Sequence, residues 1–328
     1  MKEIKIKKEF SNQRVDKFVR KYLNDAPLSF IYKLFRKKDV KINDHWVKPE
    51  YILKCDDNLK IYVTDEQLND FIKPLEYSKI NFDIDIIYED ENILIVNKPS
   101  GILVHGDINE KRITLSNKVL GYLVNKNEYN PNDRGFVPSP CHRLDRNTSG
   151  LVIFAKNIIS SQILMEEFKT HNNLSKVYIG LVKGKVNNKG KIDAPLYKDE
   201  NTGKVTIKSI KDGGKNALTY YEPICFNELY SLLKINIVTG RTHQIRVHLS
   251  YIDHPLIGDS KYGDFNINKI FEKDFNYKNQ FLHAYSISFN KLPNELSYLS
   301  NKTFKAKLPL NKEKIIYQIY NNFDINNI

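Results

Sequence analysis

His142-Arg143-Leu144-Asp145-Arg146-Asn147-Thr148-Ser149-Gly150 runs straight into Leu151-Val152-Ile153-Phe154-Ala155. One carboxylate stands between two guanidinium groups, just before an uncharged run framed by Gly150 and Lys156. A short apolar run bounded in this way is the pattern of a buried sheet strand. Asp145 is therefore expected at the edge of a core strand, with Arg143 and Arg146 beside it in sequence. Nearby cations favour the ionised carboxylate. Held there, Asp145 can serve as a nucleophile. It can equally be one half of a structural ion pair, and this segment alone leaves both readings open.

A second segment bears on the choice. Thr239-Gly240-Arg241-Thr242-His243-Gln244-Ile245-Arg246-Val247-His248-Leu249 follows the alternating run Leu233-Lys234-Ile235-Asn236-Ile237. Gly240 supplies a sharp turn and Thr242 is placed to cap a helix. Ile245, Leu249 and Ile252 fall at helical spacing and mark one buried face. Arg241 and Arg246 sit at the strand-to-helix junction, where backbone N–H groups favour anions. Two cationic junctions and one carboxylate can line a single polyanion-binding cleft.

The chain has 328 residues and a formal net charge of +12. That length suits one large domain plus a small one, and 41% hydrophobic residues are ample for a core. The positive excess points to a polyanionic partner. It is unevenly placed: residues 1–62 hold sixteen Lys and Arg against nine Asp and Glu. Three cysteines, Cys55, Cys141 and Cys225, form no CxxC pair. A disulfide framework and a cysteine zinc site are therefore not expected. No apolar h-region opens the sequence and no uncharged run reaches membrane-spanning length. The expectation is a soluble protein of a reducing, cytoplasmic compartment.

Along the chain, residues 14–62 read as a compact module. Arg14 to Leu23 has Val15, Phe18, Val19 and Tyr22 on one face. Ser29 can cap a second helix with Ile31, Leu34 and Phe35 inward. Val40-Lys41-Ile42, the turn pair Asn43-Asp44, Trp46-Val47 and Leu59 to Val63 supply short strands. Residues 64–80 read as a polar linker and 125–140 as a loop. The helix expected over 158–169 turns Ile159, Ile163, Leu164 and Phe168 inward. Residues 198–217, rich in Gly and Lys, read as a mobile hairpin or loop insertion able to touch RNA, or as a plain solvated loop. The Asn-rich tail from Tyr317 is expected to fray. Strands and helices mix without regular alternation, so the fold class is α+β. The boundaries are 1–63, a linker over 64–80, and a large domain over 81–328.

Together these motifs resemble the RluA family of pseudouridine synthases. The likeness rests on His142 to Asp145 and Arg146 with Ser149-Gly150, and on Thr239 to His248 running into His254-Pro255 and Gly258-Asp259. Asn97-Lys98-Pro99-Ser100-Gly101, Lys176-Val177-Tyr178 and Leu282-His283-Ala284 match in order. Details such as Val47-Lys48-Pro49-Glu50-Tyr51 and Tyr262-Gly263-Asp264 are similar to the C-type members that act on the large ribosomal subunit. The resemblance implies a mixed-sheet catalytic domain behind a small S4-like α/β module, and an isomerase needing no cofactor or metal. It implies Asp145 as nucleophile and Arg246 as its paired cation, with Arg241 as the fallback. Tyr178 would lie against the flipped uracil, its hydroxyl a candidate base for the final proton. Arg143 would insert into the RNA, with Arg146, Arg241 and His142 also contacting substrate. Lys33, Arg36, Lys37, Lys38 and Lys41 of the module would face phosphate. His142, His243 and His248 read as structural or RNA-contacting, not metal-ligating. The expected partner is ribosomal RNA, bound by a monomer. A tRNA substrate, or a non-catalytic RNA-binding assembly factor on the same fold, remains the alternative.

Overall fold

The computed structural model of the chain describes residues 1–72, 82–106, 114–131, 136–320 and 323. They divide into two compact units. One comprises Met1–Asp83, Asn117–Ser139 and Ala155–Ser161; the other comprises Ile84–Ser116, Pro140–Phe154 and Gln162–Ile328. The expected cut near residue 80 therefore has two later stretches of chain grouped with the first unit.

In the first unit, helices Val15–Tyr22 and Leu28–Arg36 accompany an antiparallel sheet. Its strands run in the order Lys2–Lys5, Asn58–Ile61, Val40–Ile42, His45–Trp46. Strand alternation buries Val40, Ile42, Leu59 and Ile61 against Val15, Phe18, Val19, Ile31, Leu34 and Phe35. Asn43 and Asp44 both take positive φ, as a two-residue hairpin turn requires. Ser29 does not cap the second helix. Pro27 stands at the N-cap, its carbonyl accepting from Phe30 and Ile31, so the helix starts ahead of Ser29. The expected linker is helical over Asp65–Phe71, started by a capping box between Thr64 and Gln67. Leu68, Phe71 and Ile72 pack against the same core. Residues 73–80 of that stretch lie outside the described residues, as do 132–135 of the loop and 321–322 and 324–328 of the tail.

The second unit is built on a mixed sheet. Its strand order is Gly190–Asp193, Leu218–Phe226, Tyr230–Ile237, Leu174–Lys183, Leu282–Phe289, Ser149–Ala155, Ile93–Lys98, Asp85–Glu89. Leu282–Phe289 runs parallel to Ser149–Ala155 and antiparallel to Leu174–Lys183. The fold class is α+β, as expected. Helices Phe265–Phe275 and Leu310–Ile319 bring Phe271, Ile315 and Ile316 onto Ile179, Leu181 and Leu232 of the central strands. Helix Ile158–Thr170 buries Ile158, Ser160, Ser161, Leu164 and Glu167; of the expected inward residues Leu164 is buried and Ile159, Ile163 and Phe168 are half-buried. The Gly- and Lys-rich segment forms a hairpin of Leu196–Lys198 with Val205–Ile207.

The register sets what lies beside Asp145. Gly150 pairs with Ala284, Ala284 with Tyr178, and Tyr178 with Ile235. Gly150 has φ +115, and a Cβ there would fall on the Ala284 backbone. Only glycine lets the strand behind Asp145 approach this closely. Gly150→Ala should therefore cost more than about 2 kcal/mol of stability, through strain and a displaced strand. Urea unfolding followed by circular dichroism measures it.

Candidate active site

Asp145 opens the turn that enters the fully buried strand Ser149–Ala155. Four ties hold that turn. Thr148 N–H donates to the Asp145 carbonyl at 3.1 Å. Gln280 donates to the Thr148 hydroxyl at 3.2 Å. The Arg146 carbonyl accepts from Gly101 N–H at 2.9 Å and from Lys98 Nζ at 2.9 Å. Lys98 is wholly buried and also donates to the carbonyls of Pro99 and Ile102. Burial lowers its pKa to about 7, opposed by the Asp145 carboxylate. Ser149 is held from two further sides: its hydroxyl meets His283 Nδ1 at 2.9 Å and accepts from Lys312 Nζ at 2.8 Å.

The cation that meets the carboxylate is a distant one in sequence. Arg246 Nη1 donates to Asp145 Oδ2 at 3.0 Å. Its Nε and Nη2 grip Asp259 at 2.7 and 2.8 Å, a bidentate fork on a carboxylate that is 1% exposed. Asp259 also accepts from the Lys261 and Tyr262 backbone N–H groups. Burial alone would lower the Arg246 pKa; Asp259 and Asp145 outweigh it and raise it. Asp259 is lowered, burial being overcome by Arg246. Arg246 thus joins two carboxylates, one fixed by the backbone and one open to a cleft. Asp259 was visible in sequence only as part of the Gly258-Asp259 match and carried no assigned role.

His243 was read as structural or RNA-contacting. It stands at the N-cap of helix Gln244–Tyr251 with φ 54, so Thr242 is not the cap. The helix is buried on every side from Gln244 to Leu249, not on one stripe. That is affordable because its polar groups are matched: Gln244 bonds Leu218 and Thr219, and His248 bonds Thr219 and Ala194. His248 is therefore structural. The Tyr262 hydroxyl accepts from Val205 N–H at 3.0 Å, so its own proton is free for His243 Nδ1 at 2.9 Å. His243 Nε2 faces Asp145 Oδ2 at 3.9 Å.

Asp145, His243 and Arg246 line a cleft of about 350 Å³, within the range of small-ligand sites. Tyr178, Arg143, Arg241 and His142 line it as well. Tyr178 is buried, and burial followed by the Asp145 charge pushes its pKa up. A phenol so held stays protonated, which weakens the reading of its hydroxyl as a base. His142 accepts from Ile153 N–H, stacks on Phe168 at 4.4 Å, and is driven by burial to about 3. It is a neutral wall of the cleft, not an RNA-binding cation. Arg143 and Arg146 are exposed; Arg241 donates through Nε to the Asn216 carbonyl, so it is not the partner of Asp145. Lys176, 5% exposed in the same cleft and lowered by burial to about 8, was missed as a site residue. The set places a carboxylate and an aromatic ring in one cleft lined by several cationic side chains.

Residues 92–251 match the family described as RNA pseudouridylate synthase. A protein of Mycoplasma capricolum, called an uncharacterized RNA pseudouridine synthase, is 35% identical over 90% of this chain and 94% of its own length. The chain belongs to this family. The ribosomal large subunit pseudouridine synthase C of Vibrio parahaemolyticus is 33% identical over 93% of each chain. The fold matches human RNA pseudouridylate synthase domain containing 4 with a TM-score of 0.56 at 23% identity, over 72% of this chain and 92% of that one. The protein is an RNA pseudouridine synthase, an isomerase of RNA uridines. Among its described residues no helix is long and apolar enough to cross a membrane.

Lys312 gives this pseudouridine synthase a pH signature. It is wholly buried behind the Asp145 turn, donates to Ser149 Oγ and the Leu282 carbonyl, and burial lowers it from 10.5 to about 7. Between these values the unfolded chain holds a proton the folded chain has released. Stability therefore rises with pH from about 7 to 10, by at most about 1.4 kcal/mol per pH unit for this lysine. Lys312→Met should flatten that rise, as read by urea midpoints across the window.

Proposed function

We propose that the protein converts uridines of large-subunit ribosomal RNA to pseudouridine, with Asp145 as the carboxylate that acts on the sugar. The observation that carries the reading is the 3.0 Å contact of Arg246 with Asp145, in a cleft that also holds Tyr178. The reaction breaks the N1–C1′ bond of the target, turns the base, joins C5 to C1′, and exchanges the C5 hydrogen for a proton on N1. Attack at C1′ and proton abstraction towards a glycal both need an ionised carboxylate, and Arg246 supplies the opposing charge.

The target base must leave its stack, at a cost of a few kcal/mol. Arg143, exposed at the cleft, is placed to enter the RNA where the base departed. Tyr178 supports the flipped uracil with its ring. The S4-like first unit carries the phosphate contacts: Lys33, Arg36, Lys37 and Lys38 are exposed and Lys41 is half-buried. The ribosomal substrate rests on relatives such as the ribosomal large subunit pseudouridine synthase C of Vibrio parahaemolyticus. The Asp145–Arg246–Asp259 assembly favours this reading over a binding-only assembly factor, which has no use for it.

Asp145→Asn keeps shape and removes the charge. It should abolish pseudouridine formation while RNA affinity stays within a few-fold. Mapping pseudouridine in large-subunit rRNA and in tRNA, from cells with and without the protein, tests the substrate; loss confined to tRNA would move it.

For Tyr178, the Phe variant should retain near wild-type single-turnover rates and the Leu variant should lose roughly 1–3 kcal/mol of substrate binding. A loss of roughly 10²–10⁴-fold in the Phe variant would return the hydroxyl to a proton-transfer role.

A further inference from the structure

Trp46 is the single tryptophan of the chain, and half of it is exposed to solvent. It lies in the edge strand His45–Trp46, directly opposite Lys41, which in turn stands opposite Lys60. Directly paired residues share one face of a sheet. The other face of these strands holds the buried Val40, Ile42, Leu59 and Ile61. Tyr62, two residues after Lys60, is 40% exposed, and the Lys41 ammonium lies 5.0 Å from its ring centre. The Lys38 ammonium lies 5.1 Å from the Trp46 ring. Lys60 is neutralised by Asp44 at 2.6 Å and Glu3 at 3.8 Å. The outer face thus presents two open rings, each with an ammonium group beside it.

The half-exposed indole is not part of the core of this unit, which packs on the opposite face of the sheet. Cations interleaved with open aromatic rings are what single-stranded nucleic acid uses: the rings stack bases and the cations hold phosphates. Lys38 also continues in sequence from the exposed Arg36 and Lys37, so the face joins the basic helix end. A duplex hides its base faces; an unpaired nucleotide offers them. We propose that this face is a stacking site for an unpaired RNA base, with Trp46 and Tyr62 as the platform and Lys38 and Lys41 on the adjoining phosphates. The proposal deepens the reading of the first unit as RNA-binding and rests on it.

Because the chain has one indole, tryptophan emission reports on this face alone. The full chain is titrated with a labelled single-stranded RNA of about ten nucleotides and with the blunt duplex of the same sequence. Emission and label anisotropy are followed together. For the single strand, emission should change with the same midpoint as anisotropy; for the duplex it should not change. Trp46→Ala should weaken single-strand binding roughly 5- to 100-fold, Trp46→Phe should restore most of it, and duplex affinity should stay within two-fold. Unchanged emission at saturating single strand, together with wild-type affinity of Trp46→Ala, overturns the proposal and assigns the face to another partner. A Lys33→Ala/Arg36→Ala/Lys37→Ala variant separates the two failures. If it loses affinity while Trp46→Ala does not, stacking falls and the RNA-binding unit stands; if neither loses affinity, both fall.

Discussion

Arg246 is buried between two carboxylates, and the geometry of the cleft depends on how it is shared. Asp259 takes two of its donors in a fork and is itself fixed by backbone N–H groups. The third contact goes to Asp145. A guanidinium cannot be deprotonated to escape burial, so once Asp259 has oriented it, the remaining Nη1 has one direction. A buried pair of this kind adds little net stability, while removing one partner typically costs roughly 3–5 kcal/mol. Its value here is directional: it points a fixed positive charge at a carboxylate that stays open to ligand.

The Asp145 turn is held with similar economy from the other side. Lys98 and Lys312, both wholly buried, bond to Arg146, Ser149 and Leu282 around the start of the same strand. The close approach of Gly150 to Ala284 fixes the register that brings Tyr178 into the same cleft. The carboxylate, the cation and the ring are thus set by three neighbouring strands and one helix, and none of them depends on a free loop.

Much of this was legible in the chain itself. The apolar run after Gly150, the alternation around Lys41 and the Asn43-Asp44 turn each have one cheap solution, and the structure adopts it. Asp145, Tyr178 and Arg246 were found through linked motifs and do meet in one cleft. Partners across the fold were legible only through the resemblance. Local charge alone offered the neighbouring Arg143 and Arg146 as counter-ions, whereas the linked motifs pointed to Arg246, which reaches Asp145 across 101 positions. The helix from Gln244 was read as one-sided because Arg246 and His248 are polar; their buried partners lie on other elements. Thr242 looked like a cap until His243 took the left-handed position. Residues 65–71 look polar yet form a helix, since Thr64 and Gln67 cap it and Leu68 and Phe71 find the core.

Asp259, through its fork on Arg246, fixes the direction of the positive charge that meets Asp145. A double-mutant cycle with Arg246→Lys and Asp259→Asn, read as single-turnover rate on one RNA stem-loop, tests it most directly. Each variant is first checked for folding by its urea midpoint. The account predicts that both single changes slow the reaction and that the double variant is no slower than the worse of them, because the two residues act as one unit. Losses that multiply, or a wild-type rate for Asp259→Asn, would contradict it.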